Sequence, residues 1–273
     1  MYKYIKIFLL ALTLRLLCLG IIQYYDIPTL LTLEQTEQYL FSNNPPKELQ
    51  LADASDYYYT SINLEVPKFL QEKWGYTKWY ERNPLHTIVL HLTHRSILFQ
   101  ILLSCLTCVI LFKINNIAGL IWCFYPQSII YSNLLMKVTL MTFLFVLAMY
   151  LFRNKPYLIV LSFIFIQLIS ISAFHIVPHS EGIMQEFNRG IINKVFALWQ
   201  PSFNHSPALF GNIIQYIQAP FYILLMFLFI RKTRFNYVWV IVIIMSIGAM
   251  VMYGHGYIRE FILPAILVTV LEC

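Results

Sequence analysis

The sequence predicts an all-α fold, a polytopic transmembrane helical bundle of about eight spans with a long outer loop of short amphipathic helices after the first span. Three observations point there. Hydrophobic residues make up 59% of the 273-residue chain against 12% charged, and the mean hydropathy is +0.65, a balance no soluble globule needs. The apolar residues come in long runs rather than in the roughly ten-residue alternating segments of an outer-membrane barrel, so helices must do the spanning. Nine of the thirteen acidic residues fall between positions 23 and 83, which marks that stretch as water-facing.

Taken in order, residues 1–22 read as the first transmembrane helix. The run Ile5–Ile22 follows Lys3 and Lys6, as in a signal peptide, but no A-x-A-like site follows, so an uncleaved helix with a cytoplasmic start is expected. Residues 23–83 form the outer loop. Its aromatics, among them Tyr57, Tyr58, Tyr59, Trp74 and Trp79, argue for order, with short interfacial helices such as one near Pro67–Trp74. Residues 84–273 form the membrane domain, with apolar runs at Ile97–Phe112, Ile117–Ser132, Leu134–Phe152, Tyr157–His175, Leu209–Ile230, Tyr237–Tyr253 and Phe261–Val270. If Pro84–Thr93 is a short or re-entrant helix, the basic turns at Lys113, Arg153/Lys155 and Arg231/Lys232/Arg234 all fall on the cytoplasmic side. That agreement favours eight spans. It also gathers the 23–83 loop, the Tyr125–Lys137 bend, the 176–207 loop and the His255–Arg259 turn on the outer side.

Composition also excludes functions. The net charge of +6 arises because few acids interrupt the apolar runs, so it does not indicate a nucleic-acid partner. Cys18, Cys105, Cys108, Cys123 and Cys273 lie in apolar runs or at the terminus, and Cys105/Cys108 has no second C-x-x-C, so buried small hydrophobes are the simpler reading. His91 and His94 lack a third ligand at zinc spacing. No phosphate-cradling Gly-rich loop, G-x-S-x-G elbow or H-E-x-x-H is present.

Three cations interrupt or flank the apolar runs: Arg15, Lys137 and Arg259. A charge at mid-bilayer costs about 2.5–3.5 kcal/mol on insertion scales, so each needs a reason, either anion binding or snorkelling to the headgroups. Leu14-Arg15-Leu16, Asp53-Ala54-Ser55-Asp56-Tyr57, Asn83-Pro84-Leu85-His86, the bend from Tyr125-Pro126 to Ser132, and Arg259 with Leu263-Pro264 stand in an order that resembles GT-C-type glycosyltransferases that use polyprenyl-phosphate sugars, the broad family of protein mannosyltransferases and lipid A aminoarabinose transferases. Arg15 in Leu14-Arg15-Leu16 is similar to that family's basic residue late in the first helix. Asp53-Ala54-Ser55-Asp56-Tyr57 resembles its D-A-x-x-Y, and Asn83-Pro84-Leu85-His86 resembles the segment that reopens the membrane domain. Gly119 followed by Tyr125-Pro126-Gln127-Ser128-Ile129-Ile130-Tyr131-Ser132 resembles its P-x-x-I-x-x-S bend, and Arg259 with Leu263-Pro264 its R-x-x-x-x-P element. The acid that the family commonly carries after the bend is missing, since the chain reads Met136-Lys137-Val138 there.

The resemblance implies a transferase that moves a sugar from a polyprenyl-phosphate donor to a lipid, glycan or protein acceptor by inverting displacement. Asp53 would be the general base, and Asp56 would share that task or orient a divalent metal, Mg or Mn, the one cofactor the resemblance suggests. Arg259, Lys137 and Arg15 would bind the donor phosphate, and Tyr57, Arg82, His86 and His255 would contact substrate. Membrane lipids surround it, and the bacterial inner membrane with a cytoplasmic N-terminus is the expected location. The bland reading of the two aspartates is a solvated loop with one of them as an N-cap. The alternatives are a catalytically silent GT-C-like subunit, favoured by the missing acid, and a transporter or flippase for lipid-linked glycans.

Overall fold

The computed structural model describes residues 2–170 apart from 28, 31, 42–48, 75–76 and 82, together with Pro264, Leu267 and Val268. Backbone alone is described at 38–41, 49–53, 73–74 and 167–170. The described residues are helical, with no strand among them. The expected spans beyond residue 175, apart from Pro264, Leu267 and Val268, lie outside the described residues, as do the 176–207 loop, Arg82, His255 and Arg259.

The first helix, α1 (Tyr2–Tyr24), is 23 residues long, about 35 Å at 1.5 Å per residue, enough to cross the roughly 30 Å hydrocarbon layer. Ile7, Ala11 and Arg15 are buried four residues apart on one stripe, while Ile5, Leu9, Leu16, Leu17 and Ile21 are exposed. A helix that packs along a narrow seam and shows bulky apolar side chains elsewhere suits a lipid surround.

Short helices follow, as the aromatic content of the loop predicts. α2 (Leu33–Phe41) opens with a capping box, in which Gln35 N donates to Thr32 Oγ1 at 3.1 Å and Thr32 N to Gln35 Oε1 at 3.0 Å. α3 (Leu49–Asn63) packs against α2 and against α5 (Pro84–Leu92). Between them α4 (Lys68–Trp74) buries Phe69 and Leu70 with Val66, and Trp79–Glu81 makes one 3-10 turn. α5, nine residues long, is far too short to span, which settles the ambiguity of Pro84–Thr93.

α6 (Ile97–Ile114) is the second helix long and apolar enough to cross a membrane. Ser96 caps it, accepting from Phe99 N at 3.3 Å, and Asn115 closes it while capping α7 (Asn116–Phe124) through Oδ1, at 2.9 and 3.0 Å from the amides of Ile117 and Ala118. The expected span Ile117–Ser132 is broken. Pro126 has no amide hydrogen to continue the ladder and pushes Tyr125 into extended backbone (φ −66°, ψ 112°), so α8 (Pro126–Tyr131) starts afresh. α9 (Lys137–Leu151) and α10 (Pro156–Ser170) are 15 residues each, about 22 Å and short of a straight crossing. Among the described residues, therefore, two helices have the length and apolarity to cross a membrane.

Side-chain pairings set the directions. The Tyr4 ring meets Phe112 edge-on at 6.1 Å while Arg15 reaches Ser104, so α1 and α6 are antiparallel. Lys113 Nζ lies 5.7 Å from the Tyr4 ring and donates to Tyr150 Oη at 3.3 Å, so α9 runs in the same sense as α6. The start of α1 and the ends of α6 and α9 thus share one basic end, with Lys3, Lys6, Lys113, Arg153 and Lys155 at or near it. At the opposite end α9 begins with Lys137, beside α3 and α5. One core runs between the ends, built from Ile101, Cys105, Cys108 and Leu111 of α6, Trp122 of α7, Met141 and Phe145 of α9, and Phe163 of α10, and joined by Leu267 and Val268. Gly119 permits the tight α6–α7 approach, because a Cβ there would stand 2.5 Å from Phe112 backbone.

Candidate functional site

Two polar assemblies interrupt this apolar interior. The first lies where α3, α5 and the start of α9 meet. Asn83 occupies the left-handed region (φ 48°, ψ 56°), which Asn tolerates better than most residues, and Pro84 then starts α5. This turn carries the Asn83 side chain inward to 5% exposure. Its Nδ2 donates to Tyr57 Oη at 3.0 Å and its Oδ1 accepts from Lys137 Nζ at 3.1 Å. Tyr57 packs edge-on against the His86 ring, centroids 5.0 Å apart. His86 Nε2 lies 3.1 Å from Leu135 O. A carbonyl only accepts, so Nε2 carries the proton and Nδ1 holds a lone pair, buried and without a partner among the described residues. Burial lowers the His86 pKa to about 4, opposed by the bond to Leu135 O and assisted by nearby Lys137.

Asp56 is also buried here, one residue before Tyr57. Both Asp56 and Asp53 lie inside α3, several residues past its start at Leu49, so neither is an N-cap. That part of the bland reading is overturned: the helix begins before the acids rather than at them. The C-terminal end of α3 is fastened to α5 and to the turn that follows it through Ser61 O, which accepts from His91 Nδ1 at 2.9 Å and Arg95 Nη1 at 3.3 Å.

The second assembly surrounds Arg15, which is wholly buried rather than snorkelling. Its Nε donates to Ser104 Oγ at 2.8 Å, Nη1 to Ala11 O at 3.1 Å, and Nη2 to Ser128 Oγ at 3.1 Å and Cys108 Sγ at 3.5 Å. Asn133 Nδ2 in turn donates to Arg15 O at 3.3 Å. The acceptors are two serine hydroxyls, a backbone carbonyl and a cysteine sulfur, and among the described residues no carboxylate pairs with the guanidinium. Cys105, Cys108 and Cys123 are buried beside it, as expected of small apolar side chains, although Cys108 also serves as an acceptor.

Of the residues the sequence singles out, Tyr57, His86 and Lys137 come together, with Asp56 on the adjoining helical turn. Arg15 does not join them, its guanidinium being engaged deeper in the bundle. Asn83, the bridge of the first assembly, carries no role in the sequence reading, and its only signal there is its place before Pro84. Ser104 and Ser128 are likewise new, visible in the sequence only as isolated hydroxyls in apolar runs. Among the described residues no three His, Cys, Asp or Glu side chains gather as a metal centre would require. Comparison with protein families, curated proteins and solved structures finds no match.

Proposed function

We propose that this chain is a multi-pass membrane glycosyltransferase, working at the outer face of a bacterial inner membrane on a polyprenyl-phosphate sugar. The observation that carries the proposal is the meeting of an acid-bearing helix with a cationic helix start. α3 bears Asp53 and Asp56, and its Tyr57 connects through Asn83 to Lys137 at the first turn of α9. Met136, the N-cap of α9, offers no side-chain acceptor to the first amides of that helix. A lysine at the positive pole of an uncapped helix is unfavourable alone and becomes favourable when an anion sits there, as a lipid phosphate would.

In this reading the clustering of Lys3, Lys6, Lys113, Arg153 and Lys155 at one end makes that end cytoplasmic, and Lys137 stands at the outer headgroup level. The loop carboxylate deprotonates an acceptor hydroxyl while Lys137 holds the departing lipid phosphate. Arg259 supplies a second cation. The same position favours one other reading: Lys137 stands where GT-C enzymes commonly carry an acid, which suits a catalytically silent subunit that binds donor lipid without turnover.

The deciding experiment incubates the protein in bilayers with a panel of radiolabelled polyprenyl-phosphate sugars, alongside Asp53→Asn. Transfer by wild type and its loss in Asp53→Asn, with donor binding retained, supports the enzyme. Donor binding without transfer in either protein supports the silent subunit, and neither binding nor transfer refutes both.

A further inference from the structure

α7 turns back on α6 at Asn115, and the seam between the two helices is close. A Cβ on Gly119 would stand 2.5 Å from Phe112 backbone, and further along the same seam Ser104 Oγ donates to Ser128 O at 3.5 Å. One helical turn after Gly119 comes Cys123, and one turn before Phe112 comes Cys108, so the pairing that sets 119 against 112 sets 123 against 108. Both side chains are wholly buried, and the Cys123 S–H donates to Cys108 Sγ. Arg15 Nη2 donates to the same sulfur at 3.5 Å.

Two donors, one of them a cation, thus converge on Cys108 Sγ, and the second thiol stands on the facing helix. A buried cysteine among apolar side chains is inert, but this one has other company. The thiolate is the form that reacts with oxidants, a guanidinium at hydrogen-bond distance is the neighbour that supports it, and a resolving cysteine in reach carries the product on to a disulfide. Cys105 does not fit either role. It receives none of the Arg15 hydrogen bonds, which go to Ser104, Ala11, Cys108 and Ser128. Lying three residues before Cys108 on one helix, it also has its Cβ about 5–6 Å away, beyond the roughly 3.5–4.5 Å that a disulfide spans.

We propose that Cys108 and Cys123 are an oxidation site, closed to a disulfide between α6 and α7 by hydrogen peroxide, a neutral molecule small enough to enter the bundle. Cys108 Sγ attacks one peroxide oxygen, the O–O bond breaks, and the departing hydroxide takes the Cys108 proton to leave as water. Cys123 Sγ then attacks the resulting sulfenic sulfur, and the displaced hydroxide takes the Cys123 proton to leave as a second water. Two electrons pass from the thiols to the peroxide, and a dithiol returns them. The site does not depend on sugar transfer. Full-length protein in detergent, treated with hydrogen peroxide, then denatured and alkylated, should have lost two of its five thiols, with Cys108 linked to Cys123 in peptide mass maps made without reductant. Dithiothreitol should restore both. In Cys123→Ala the sulfenic acid has no resolving partner, and dimedone should label Cys108 rather than Cys105. All five thiols retained in wild type, or a link from Cys123 to Cys105, would overturn the pair. Dimedone on Cys105 in place of Cys108 would overturn the part given to Arg15, and should Cys123→Ala fail to fold, the wild-type thiol count and linkage still decide.

Discussion

Asn83 is the residue on which the junction of α3, α5 and α9 turns, and replacing it separates its two contributions. Asn83→Gly keeps the left-handed backbone but removes both side-chain bonds, to Tyr57 Oη and from Lys137 Nζ. The neutral bond is worth about 1 kcal/mol. The bond from Lys137 would reach 1.5–3 kcal/mol if fully buried, but this lysine is half-exposed, and screening reduces it to about 1 kcal/mol. The loss is then about 2 kcal/mol, or roughly thirtyfold faster opening of α5 read by amide hydrogen exchange in detergent. Asn83→Ala loses the same bonds and also places a Cβ in the left-handed region, adding about 1 kcal/mol and a further fivefold. Exchange in Asn83→Gly within twofold of wild type would refute the bridging role. Asn83→Ala opening no faster than Asn83→Gly would refute the backbone argument.

Other outcomes follow from the same geometry. His86 binds its proton less readily folded, with a pKa of about 4, than unfolded, near 6.5, so stability is complete above pH 6.5 and declines as pH falls toward 4. The span corresponds to about 3 kcal/mol, and His86→Gln should flatten that slope in unfolding titrations, whereas an unchanged slope assigns it to other groups. Gly119→Ala forces a methyl into Phe112 backbone and should lower stability by about 2–3 kcal/mol, a cost that a thermal scan indistinguishable from wild type would contradict.

What could be read from sequence was what depends on neighbours along the chain. The apolar runs announced helices, and the aromatic, acidic stretch announced short helices such as α4, whereas the run Ile117–Ser132, read as one span, is divided at Pro126. Long-range convergence was not legible. Arg15 is joined to Ser104 across 89 residues and to Ser128 across 113, and nothing local marks those serines. A lone arginine in a spanning run reads equally as a lipid-facing or an interior group until its neighbours are known. Asn83 escaped for a related reason: the residue before a proline is ordinarily extended, and only a left-handed turn there brings its amide between Tyr57 and Lys137. Tyr57 and His86 were singled out through the resemblance and Lys137 through its charge between apolar runs, while the hydrogen bonds that bring Tyr57 and Lys137 together through Asn83 were not legible.

Lys137 offers the sharpest separation of binding from architecture, because its structural effects oppose one another. In detergent without anionic lipid, Lys137→Met loses the half-exposed bond to Asn83, about 1 kcal/mol, and relieves a cation at the positive pole of α9, worth about 0.3–1 kcal/mol. These two terms oppose each other, so together they move the unfolding free energy by less than about 1 kcal/mol. Binding of a polyprenyl phosphate does not enjoy that cancellation. The anion loses a direct charged partner while the uncapped amides of α9 remain, and affinity should fall about tenfold, with a shallower salt dependence than wild type. Wild-type affinity in Lys137→Met would remove the start of α9 from the donor site. A large fall in stability with unchanged salt dependence would make Lys137 a structural prop for Asn83 and leave the phosphate to be sought elsewhere.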